Sequence, residues 1–368
     1  MNSHTPPNKN TFTTHKQNSF AVYGCGLLGK LVANYVVLNY GEDSLEAIVV
    51  SKGHIEQSEY TAINQKSYPV LELEDFLNIS HSSTIIINTV ISAKNIVQQQ
   101  LTKHGLKIAQ NNDNIIETAK NYVIDKYSQK YKLQFSDDFL FFNDVKFANC
   151  LKNNQRNYGP FWGSMGDEIL PEIFNDYSLV VDGSYEDRAV SIKENDVVID
   201  AGANIGLYTV YAASKGCNVF SFEPDPRAQI ELKKQKAIYP NNITIIPYGL
   251  FSEEKELSFF ESDSSDISSF VLPRGNYKET KVSVTTLDKF VETRKIKRVD
   301  YIKADIEGAE REMLKGATQT LKKFAPKLSI CTYHLPDDKE VLTKLILEAN
   351  PRYKIWYKWR KLYACVPS

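Results

Sequence analysis

The sequence predicts an α/β protein made of two Rossmann-like units in series, a smaller one followed by a larger one. Short apolar runs alternate with helix-like segments from about residue 18 to 110, and again from about 181 to 368. That alternation is typical of parallel, doubly wound sheets. The final strand candidates, "YKIWYKW" and "KLYACVP", have no helix between them, so the second sheet should carry an antiparallel edge.

Composition excludes several classes of protein. Of 368 residues, 42% are apolar, which is enough for buried cores. The 44 basic residues nearly balance the 45 acidic ones, so we expect no nucleic-acid partner. No apolar stretch reaches about 18 residues, so we expect no membrane span. Residues 1–17 lack a signal-peptide core and are interpreted as a disordered leader. The five cysteines form no CxxC pair, which favours free thiols and a cytoplasmic location.

The elements of the first unit, residues 18–110, follow from its apolar runs. We predict strands in "FAVY", "LEAIVV", "STIIINTV" and "LKIAQ", an extended piece that becomes a helix in "YPVLELEDFLN", and helices ending at Gly41 and Gly105. Residues 111–180 are predicted to be a connector, helical from Asp113 to Phe135, with an entrance loop at 153–168.

In the second unit, residues 181–368, strands and helices alternate, and one long helix is predicted from Ala309 to Phe324. An antiparallel pair is predicted in "KELSFFES" and "KVSVTTL". The apolar strand "LSICTYH" is predicted to run as far as His334.

The first turn of this second unit carries the main functional signal. After the strand "VVI" the chain reads Asp200, Ala201, Gly202, Ala203, Asn204, Ile205, Gly206. A dinucleotide site has G-x-G-x-x-G here, so that bare N–H groups meet the pyrophosphate. The carboxylate of Asp200 would repel a phosphate. A positively charged cofactor without phosphate, S-adenosylmethionine, suits the loop better.

A second acidic residue, Glu223, ends the next strand in "SFEPDP". A carboxylate at that position can accept hydrogen bonds from both hydroxyls of an adenosine ribose. The alternative interpretation is a helix-capping Asp200 and a solvated Glu223. The spacing of the two acids favours the cofactor site.

Five motifs in order, "VVIDAGANIG", "SFEPDP", "TTLDKF", "DYIKADIEGAE" and "LSICTYHLPDD", resemble the FkbM family of S-adenosylmethionine-dependent methyltransferases. The resemblance covers about residues 180–366. It implies a class I methyltransferase fold, whose last strand inserts antiparallel, and methyl transfer to oxygen, often on sugars of bacterial surface polysaccharides.

The resemblance also implies roles for particular residues. It places the cofactor loop at Asp200, Gly202, Asn204 and Gly206, and the ribose at Glu223. It places a second set of residues toward the reaction: Lys303, Asp305, Glu307, Glu310 and His334. Many members of the family have an acidic residue two positions before the one matched by His334, and this chain has Thr332 there. That difference leaves the role of His334 open.

A sugar hydroxyl needs a base, and His334 is the candidate, paired with Asp305 from the neighbouring strand end. We assign no metal, although the two residues can alternatively hold a divalent ion that acidifies the hydroxyl. A His packed at a strand end is the structural alternative. Glu307 and Glu310 are assigned to substrate contact or support, although Glu310 can alternatively favour a helix N-terminus.

Two further segments are assigned to the site. Tyr185 and Glu186 match a Tyr-Glu pair that is common in the family near the cofactor. The polar loop at 263–270 suits sugar hydroxyls or is simply solvated.

The first unit has its own glycine motif, "YGCGLLG", with Gly24, Gly26 and Gly29 spaced as in dinucleotide sites. The next strand ends in Ser51 and Lys52, without an acid for an NAD ribose, although this pair can tolerate a 2′-phosphate. The domain resembles units appended to bacterial sugar-modifying enzymes. A nucleotide or nucleotide-sugar site and a structural role stay open.

The sequence therefore predicts an O-methyltransferase acting on the hydroxyl of a nucleotide-activated or glycan-linked sugar. Two alternatives remain: methylation of a small non-sugar metabolite on oxygen or nitrogen, and a non-catalytic nucleotide-sugar binding module. The oligomeric state is left open.

Overall fold

The computed structural model describes most of the chain. The described residues are 19–24, 27–51, 60–63, 66–80, 83–90, 94–131, 134–136, 138–142, 144–149, 172–173, 183–262 and 277–367. Residues Met1–Asp125 and Lys126–Ser368 form two compact units. Within the described ranges, no helix has the length and apolar character needed to cross a bilayer. The predicted leader and the loops at 153–168 and 263–270 lie outside the described residues.

The first unit contains one six-stranded sheet with the order β3-β4-β2-β1-β5-β6. Its elements are β1 (Phe20–Tyr23), α1 (Leu27–Tyr40), β2 (Leu45–Val50), β3 (Tyr60–Ile63), β4 (Lys66–Glu72), α2 (Leu73–Ile79), β5 (Ile85–Asn88), α3 (Lys94–Lys103), β6 (Lys107–Ile108) and α4 (Asn112–Tyr131). All neighbours are parallel except β3, which pairs antiparallel with β4. The predicted parallel sheet is confirmed, and β3 is an edge strand that the sequence analysis missed.

Both faces of this sheet are covered. Val22 and Ile48 pack into the core beneath α1, whereas Ala21 and Val49 pack into the core beneath α2 and α3. Strands buried on both faces become uniformly apolar, as "FAVY" and "AIVV" are. Gly41 ends α1 with a φ of 94°, and its N–H donates to Val37 O at 3.0 Å.

The second unit is built on a seven-stranded sheet with the order β12-β11-β10-β16-β17-β19-β18. Its first elements are β7 (Gln134–Phe135), β8 (Phe139–Phe142), β9 (Val145–Ala148), β10 (Val197–Ala201), α5 (Leu207–Ser214), β11 (Asn218–Phe222), α6 (Pro226–Ile238), β12 (Ile243–Ile246), β13 (Gly249–Leu250) and β14 (Lys255–Ser262). The later elements are β15 (Tyr277–Thr285), α7 (Leu287–Thr293), β16 (Tyr301–Ala304), α8 (Glu310–Lys315), α9 (Thr318–Phe324), β17 (Lys327–Cys331), α10 (Asp338–Ala349), β18 (Lys354–Lys358) and β19 (Lys361–Cys365).

Strands β12, β11, β10, β16 and β17 are parallel, and β19 inserts antiparallel between β17 and β18. This strand order confirms the predicted class I methyltransferase fold. Side chains alternate between two buried layers, because successive residues of a strand point to opposite faces. Ile199 lies in the layer beneath α8, α9 and α10, and Val198 in the layer beneath α5. The buried free thiols of Cys217 and Cys331 confirm the prediction for these two residues.

Two predicted helix boundaries are wrong. The connector helix ends at Tyr131, because residues from Gln134 onward form the small antiparallel sheet β7-β8-β9. The helix predicted from Ala309 to Phe324 is two helices that break at Gly316. A Cβ on Gly316 would lie 2.1 Å from Phe251 O, so glycine is required where the two backbones approach each other at this break. The predicted antiparallel pairing of β14 with β15 is confirmed.

Candidate active site

The loop that follows β10 turns sharply at the carboxyl edge of the sheet. Gly202 has a φ of 75° and Gly206 a φ of 88°, and Asn204 between them also has a positive φ, 48°. A Cβ on Gly202 would lie 2.0 Å from Asp305 O. Glycine is required here because the backbone of this loop touches the backbone of the turn after β16.

Asp200 lies at the end of β10, and the strand register sets it beside Lys303 of β16. Its carboxylate is fully buried, with Oδ1 3.1 Å from Lys303 Nζ, and Oδ2 accepts from the Thr209 hydroxyl at 2.5 Å. Lys303 Nζ also donates to Gly202 O at 2.7 Å. The charge of Asp200 is therefore balanced inside the protein. The expectation that this carboxylate itself repels a phosphate is therefore wrong, because Asp200 is paired with Lys303 and the two residues fix the loop.

Glu223 follows β11 and faces the same loop. Its carboxylate accepts from Asn204 N and from Asp225 N, both at 2.7 Å. Burial raises the pKa of Glu223 to about 7, against the lowering effect of these two N–H donors. A carboxylate offers about four lone-pair sites, so Glu223 retains capacity for further donors.

The turn after β16, residues 305–308, is acidic and tightly wound. Glu307 has a φ of 53° and Gly308 a φ of 99°, which reverses the chain before α8. Fully buried Glu310, the first residue of α8, accepts from Ile306 N at 2.9 Å and from Gly308 N at 3.1 Å. Glu310 therefore holds the turn that presents Asp305 and Glu307.

His334 lies three residues beyond the end of β17, so the predicted strand is too long at this end. Its Nε2 is 3.6 Å from Asp305 Oδ1 and 3.4 Å from Glu307 Oε1, and its Nδ1 is 3.0 Å from Glu310 Oε1. Burial would lower the pKa of His334, but the surrounding carboxylates of Glu310, Glu307 and Asp305 outweigh burial and raise it to about 11. The imidazole in this arrangement is a cation, and a cation does not accept a proton as a general base must.

The pKa of Asp305 is shifted in the opposite direction, below its usual value. Tyr185 donates its hydroxyl to Asp305 Oδ2 at 2.7 Å, and Tyr333 donates to Oδ1 at 3.3 Å. Burial alone would raise the pKa of Asp305, but the charges of His334, Lys303 and Lys361 lower it to about 2. Asp305 is therefore ionised near neutral pH.

The two residues of the predicted Tyr-Glu pair direct their side chains to different parts of the unit. Tyr185 is buried and reaches the acidic turn through its hydroxyl. Glu186 instead accepts from Ile192 N at 3.2 Å and from the Tyr211 hydroxyl at 3.4 Å. The structure thus brings Tyr185 together with Asp305, whereas the contacts of Glu186 lie elsewhere in the unit.

Three residues near the site were missed by the sequence analysis. Tyr333 precedes His334, and an aromatic residue beyond a strand end was a usable signal. Lys361 is a buried lysine in the otherwise apolar β19, and its Nζ donates to Gly183 O at 2.6 Å. Glu172 accepts from Tyr185 N at 2.7 Å and from Glu186 N at 3.2 Å, and nothing in its sequence context marked it.

The glycine turn of the first unit is only partly described. Gly24 has a φ of 115°, and a Cβ on Gly29 would lie 1.9 Å from Gly24 O, so α1 packs closely on the end of β1. Gly26 and Lys52 lie outside the described residues. The Ser51 hydroxyl is 2.8 Å from the Tyr23 hydroxyl. The nucleotide site in this unit stays a prediction.

Comparisons with known proteins bear on the second unit. Residues 200–355 match the family described as "Methyltransferase FkbM domain". The chain is 32% identical over 163 residues to "Hexuronic acid methyltransferase AglP" of Haloferax volcanii, covering 43% of this chain and 64% of that protein. It is 26% identical over 148 residues to "Methyltransferase 1" of Beauveria bassiana, covering 33% and 59%. The matches therefore span less than two thirds of the length of either relative.

Among solved structures, the crystal structure of methyltransferase FkbM from Methylobacillus flagellatus KT is similar over 95% of this chain and 90% of that chain. The sequence identity is 17% and the TM-score is 0.42.

Proposed function

We propose that this chain, which carries an FkbM methyltransferase domain at residues 200–355, transfers the methyl group of S-adenosylmethionine to the hydroxyl of a sugar. The acceptor in this proposal is a nucleotide-activated or glycan-linked sugar of a surface polysaccharide.

One contact carries the proposal. The loop after β10 and the acidic turn after β16 meet backbone to backbone at Gly202 and Asp305. In open α/β sheets, ligands bind outside the carboxyl ends of the strands. A cofactor seated on the loop therefore holds its reactive end beside Asp305, Glu307 and His334.

The neighbourhood of the loop supports a cofactor that carries a ribose and a sulfonium. Glu223 faces Asn204 and has acceptor capacity for two ribose hydroxyls. Gly202 and Gly206 have positive φ angles and give the loop the sharp turn on which the methionine part would be seated. Asp200 acts through Lys303, which positions Gly202 O.

In the proposed reaction the acceptor hydroxyl loses its proton as its oxygen bonds to the methyl carbon. The bond between that carbon and sulfur breaks, and its electron pair stays on sulfur as a neutral thioether. Because His334 is already a cation, we assign the proton to the carboxylate of Glu307, and Asp305 and His334 orient the hydroxyl. A positioned base typically contributes about 10²–10⁴-fold to the rate.

The named activity of AglP as a hexuronic acid methyltransferase favours an acidic sugar as acceptor. The guanidinium of Arg360 lies 4.2 Å from the centre of the ring of Tyr333, the residue that precedes His334 in the chain. A cation there suits a sugar that carries a carboxylate.

The first test measures the binding of S-adenosylmethionine to the full chain by calorimetry. We expect one site, and Glu223→Gln should weaken binding about tenfold or more, since about 1.4 kcal/mol corresponds to tenfold. Exposed Glu253 gives a control, Glu253→Gln, which should bind like the wild type. Equal affinity of Glu223→Gln and the wild type would contradict the ribose assignment.

The second test concerns the acceptor. The chain is incubated with the methyl donor and a panel of uronic acids, neutral sugars, their nucleotide-activated forms and simple alcohols. Mass spectrometry should detect a gain of one methyl group on the sugars and none on the alcohols. Methylation of non-sugar alcohols alone would favour the alternative of a small-metabolite methyltransferase.

For the first unit, we propose a nucleotide or nucleotide-sugar ligand at the turn that begins with Gly24. The close packing of Gly29 on Gly24 O supports this, because the same approach brings a helix N-terminus to a phosphate in dinucleotide folds. A nucleotide-sugar that leaves the melting temperature and the calorimetric baseline of the chain unchanged would favour a structural role.

A further inference from the structure

Three residues of the acidic turn and its neighbour lie close enough together to share one ion. Asp305, Glu307 and His334 each offer one ligand atom, and these three atoms lie within 4.8 Å of one another. His334 Nε2 is 3.6 Å from Asp305 Oδ1 and 3.4 Å from Glu307 Oε1. Ligand atoms placed about 2.1 Å from a tetrahedral ion are about 3.4 Å apart. The two separations from Nε2 are therefore close to those of ligands around a common centre.

The histidine gives an independent indication of a ligand. Its side chain is 0% exposed, and Nε2 has no hydrogen-bond partner. A buried polar atom without such a bond costs free energy, so native structures rarely keep one. Nε2 points toward the two carboxylates at distances too long for good hydrogen bonds. An ion among the three groups would satisfy this nitrogen.

The other ring nitrogen is already arranged as in metal sites. Nδ1 lies 3.0 Å from Glu310 Oε1, and Glu310 is itself fixed by Ile306 N and Gly308 N. A histidine that binds a metal nearly always directs its second nitrogen at a carboxylate or carbonyl, which fixes the ring and the tautomer. Glu310 therefore leaves Nε2 as the nitrogen available to an ion.

Charge and exposure agree with this arrangement. Three carboxylates, Asp305, Glu307 and Glu310, surround one imidazole, and the charges of Lys303 and Lys361 act on Asp305. Asp305 and Glu307 keep 23% and 16% of their side chains exposed, whereas His334 is closed. The histidine side of the cluster is thus closed to solvent, and the side formed by the two carboxylates is accessible to it. Catalytic metal sites share this form, with three protein ligands and an open position.

We propose that Asp305, Glu307 and His334 bind one divalent transition-metal ion, and that Glu310 orients His334. Mixed carboxylate and imidazole ligands suit Mn²⁺ or Zn²⁺ better than Mg²⁺ or Ca²⁺. This proposal replaces the sequence-based assignment of no metal at the site.

The role of the ion rests on the proposed function. An acceptor hydroxyl that reaches the open side would be polarised by the ion and lose its proton to the Glu307 oxygen that faces away from the ion. The oxygen then bonds to the methyl carbon, and the carbon–sulfur electron pair leaves with sulfur. The orienting effect assigned to the imidazolium would then come from the ion, with His334 as a neutral ligand.

In the test, Mn²⁺ is added as the only metal to the full chain, from which a chelator has first removed bound ions. Free Mn²⁺ is followed by its electron paramagnetic resonance signal during titration. We expect one bound ion per chain, with Glu307→Gln and Glu310→Gln each weakening binding about 10–100-fold. Exposed Glu340 provides the matched control, and Glu340→Gln should bind Mn²⁺ like the wild type.

Binding of S-adenosylmethionine is measured on the same samples, which separates the two proposals. Cofactor binding by Glu307→Gln shows that the variant is folded. Cofactor binding without stoichiometric Mn²⁺ binding overturns the metal site and leaves the methyltransferase proposal standing. The metal site is also overturned if Glu307→Gln binds Mn²⁺ like the wild type, or if Glu340→Gln loses as much affinity as Glu307→Gln.

Discussion

The buried pair of Asp200 and Lys303 provides a direct test of how the cofactor loop is held. Lys303→Met removes a cation whose side chain is 4% exposed, 3.1 Å from a carboxylate that is 0% exposed. Removing one partner of a buried ion pair costs about 3–5 kcal/mol, because the other charge stays buried without compensation. Asp200 keeps only the hydroxyl of Thr209, and Gly202 O loses its donor. The free energy of unfolding should therefore fall by about 3–5 kcal/mol.

Urea unfolding followed by tryptophan fluorescence measures this loss in the second unit. All three tryptophans of the chain, including Trp356 and Trp359, lie between Lys126 and Ser368. With a slope of about 1–3 kcal/mol per molar urea, the midpoint should fall by about 1 M or more. The double variant Asp200→Asn with Lys303→Met should recover at least half of the loss, since both charges are gone. Lys344→Met, at an exposed pair 3.9 Å long, is the control and should leave the midpoint unchanged. A loss in Lys303→Met no larger than in this control would refute the reasoning.

Three further changes test the site. Gly202→Ala should abolish cofactor binding in calorimetry, because the new Cβ would lie 2.0 Å from Asp305 O. Gly216→Ala is the control: Gly216 has a similar φ of 81°, but a Cβ there meets only the side chain of Glu194, so this variant should bind the cofactor normally. Tyr185→Phe removes the hydroxyl that donates to Asp305 Oδ2, so the pKa of Asp305 should rise and kcat should fall. Cofactor affinity should stay within about twofold of the wild type. An unchanged kcat would show that Tyr185 has no part in the reaction. Glu223 has a pKa raised to about 7, so it stabilises the fold below its unfolded value of 4.5, and that contribution is lost as pH rises through 7. The decline in unfolding free energy between about pH 5.5 and 8 should be smaller in Glu223→Gln than in the wild type, and equal declines would contradict the shifted pKa.

The sheet could be predicted from sequence because strands buried on both faces leave continuous apolar runs. "VVIDA", "NVFSF" and "KLSIC" all became strands of the central sheet, and the two final runs became the antiparallel pair. The close approach of Phe251 O to Gly316 could not be predicted, because residues so far apart in sequence meet only in the folded chain. The edge strand β3 is four residues long, too short for a periodic signal.

For the site, the sequence indicated which residues lie close together, but it did not indicate their protonation states or their charge partners. Asp305 and His334 were expected at one edge of the sheet, and they lie there 3.6 Å apart. The charge on the imidazole depends on Glu307 and Glu310. The position of Glu307 is set by a positive φ angle, and that of Glu310 by hydrogen bonds from the backbone of the turn. The neutralisation of Asp200 likewise depends on strand register, which pairs it with Lys303. Register and turn geometry are tertiary properties, and a linear motif does not specify them.

The antiparallel insertion of β19 has a consequence for the order in which this protein is made. β17 is synthesised before β18 and β19, yet its neighbour on one side is β19. Until residues 361–365 leave the ribosome, β17 has an unpaired edge, and Lys361 is not yet present to bind Gly183. Exposed edges of this kind invite pairing with other chains. A chain that stops between residues 331 and 361 therefore keeps the exposed edge of β17, and it lacks the lysine that donates to Gly183 O beside the candidate site.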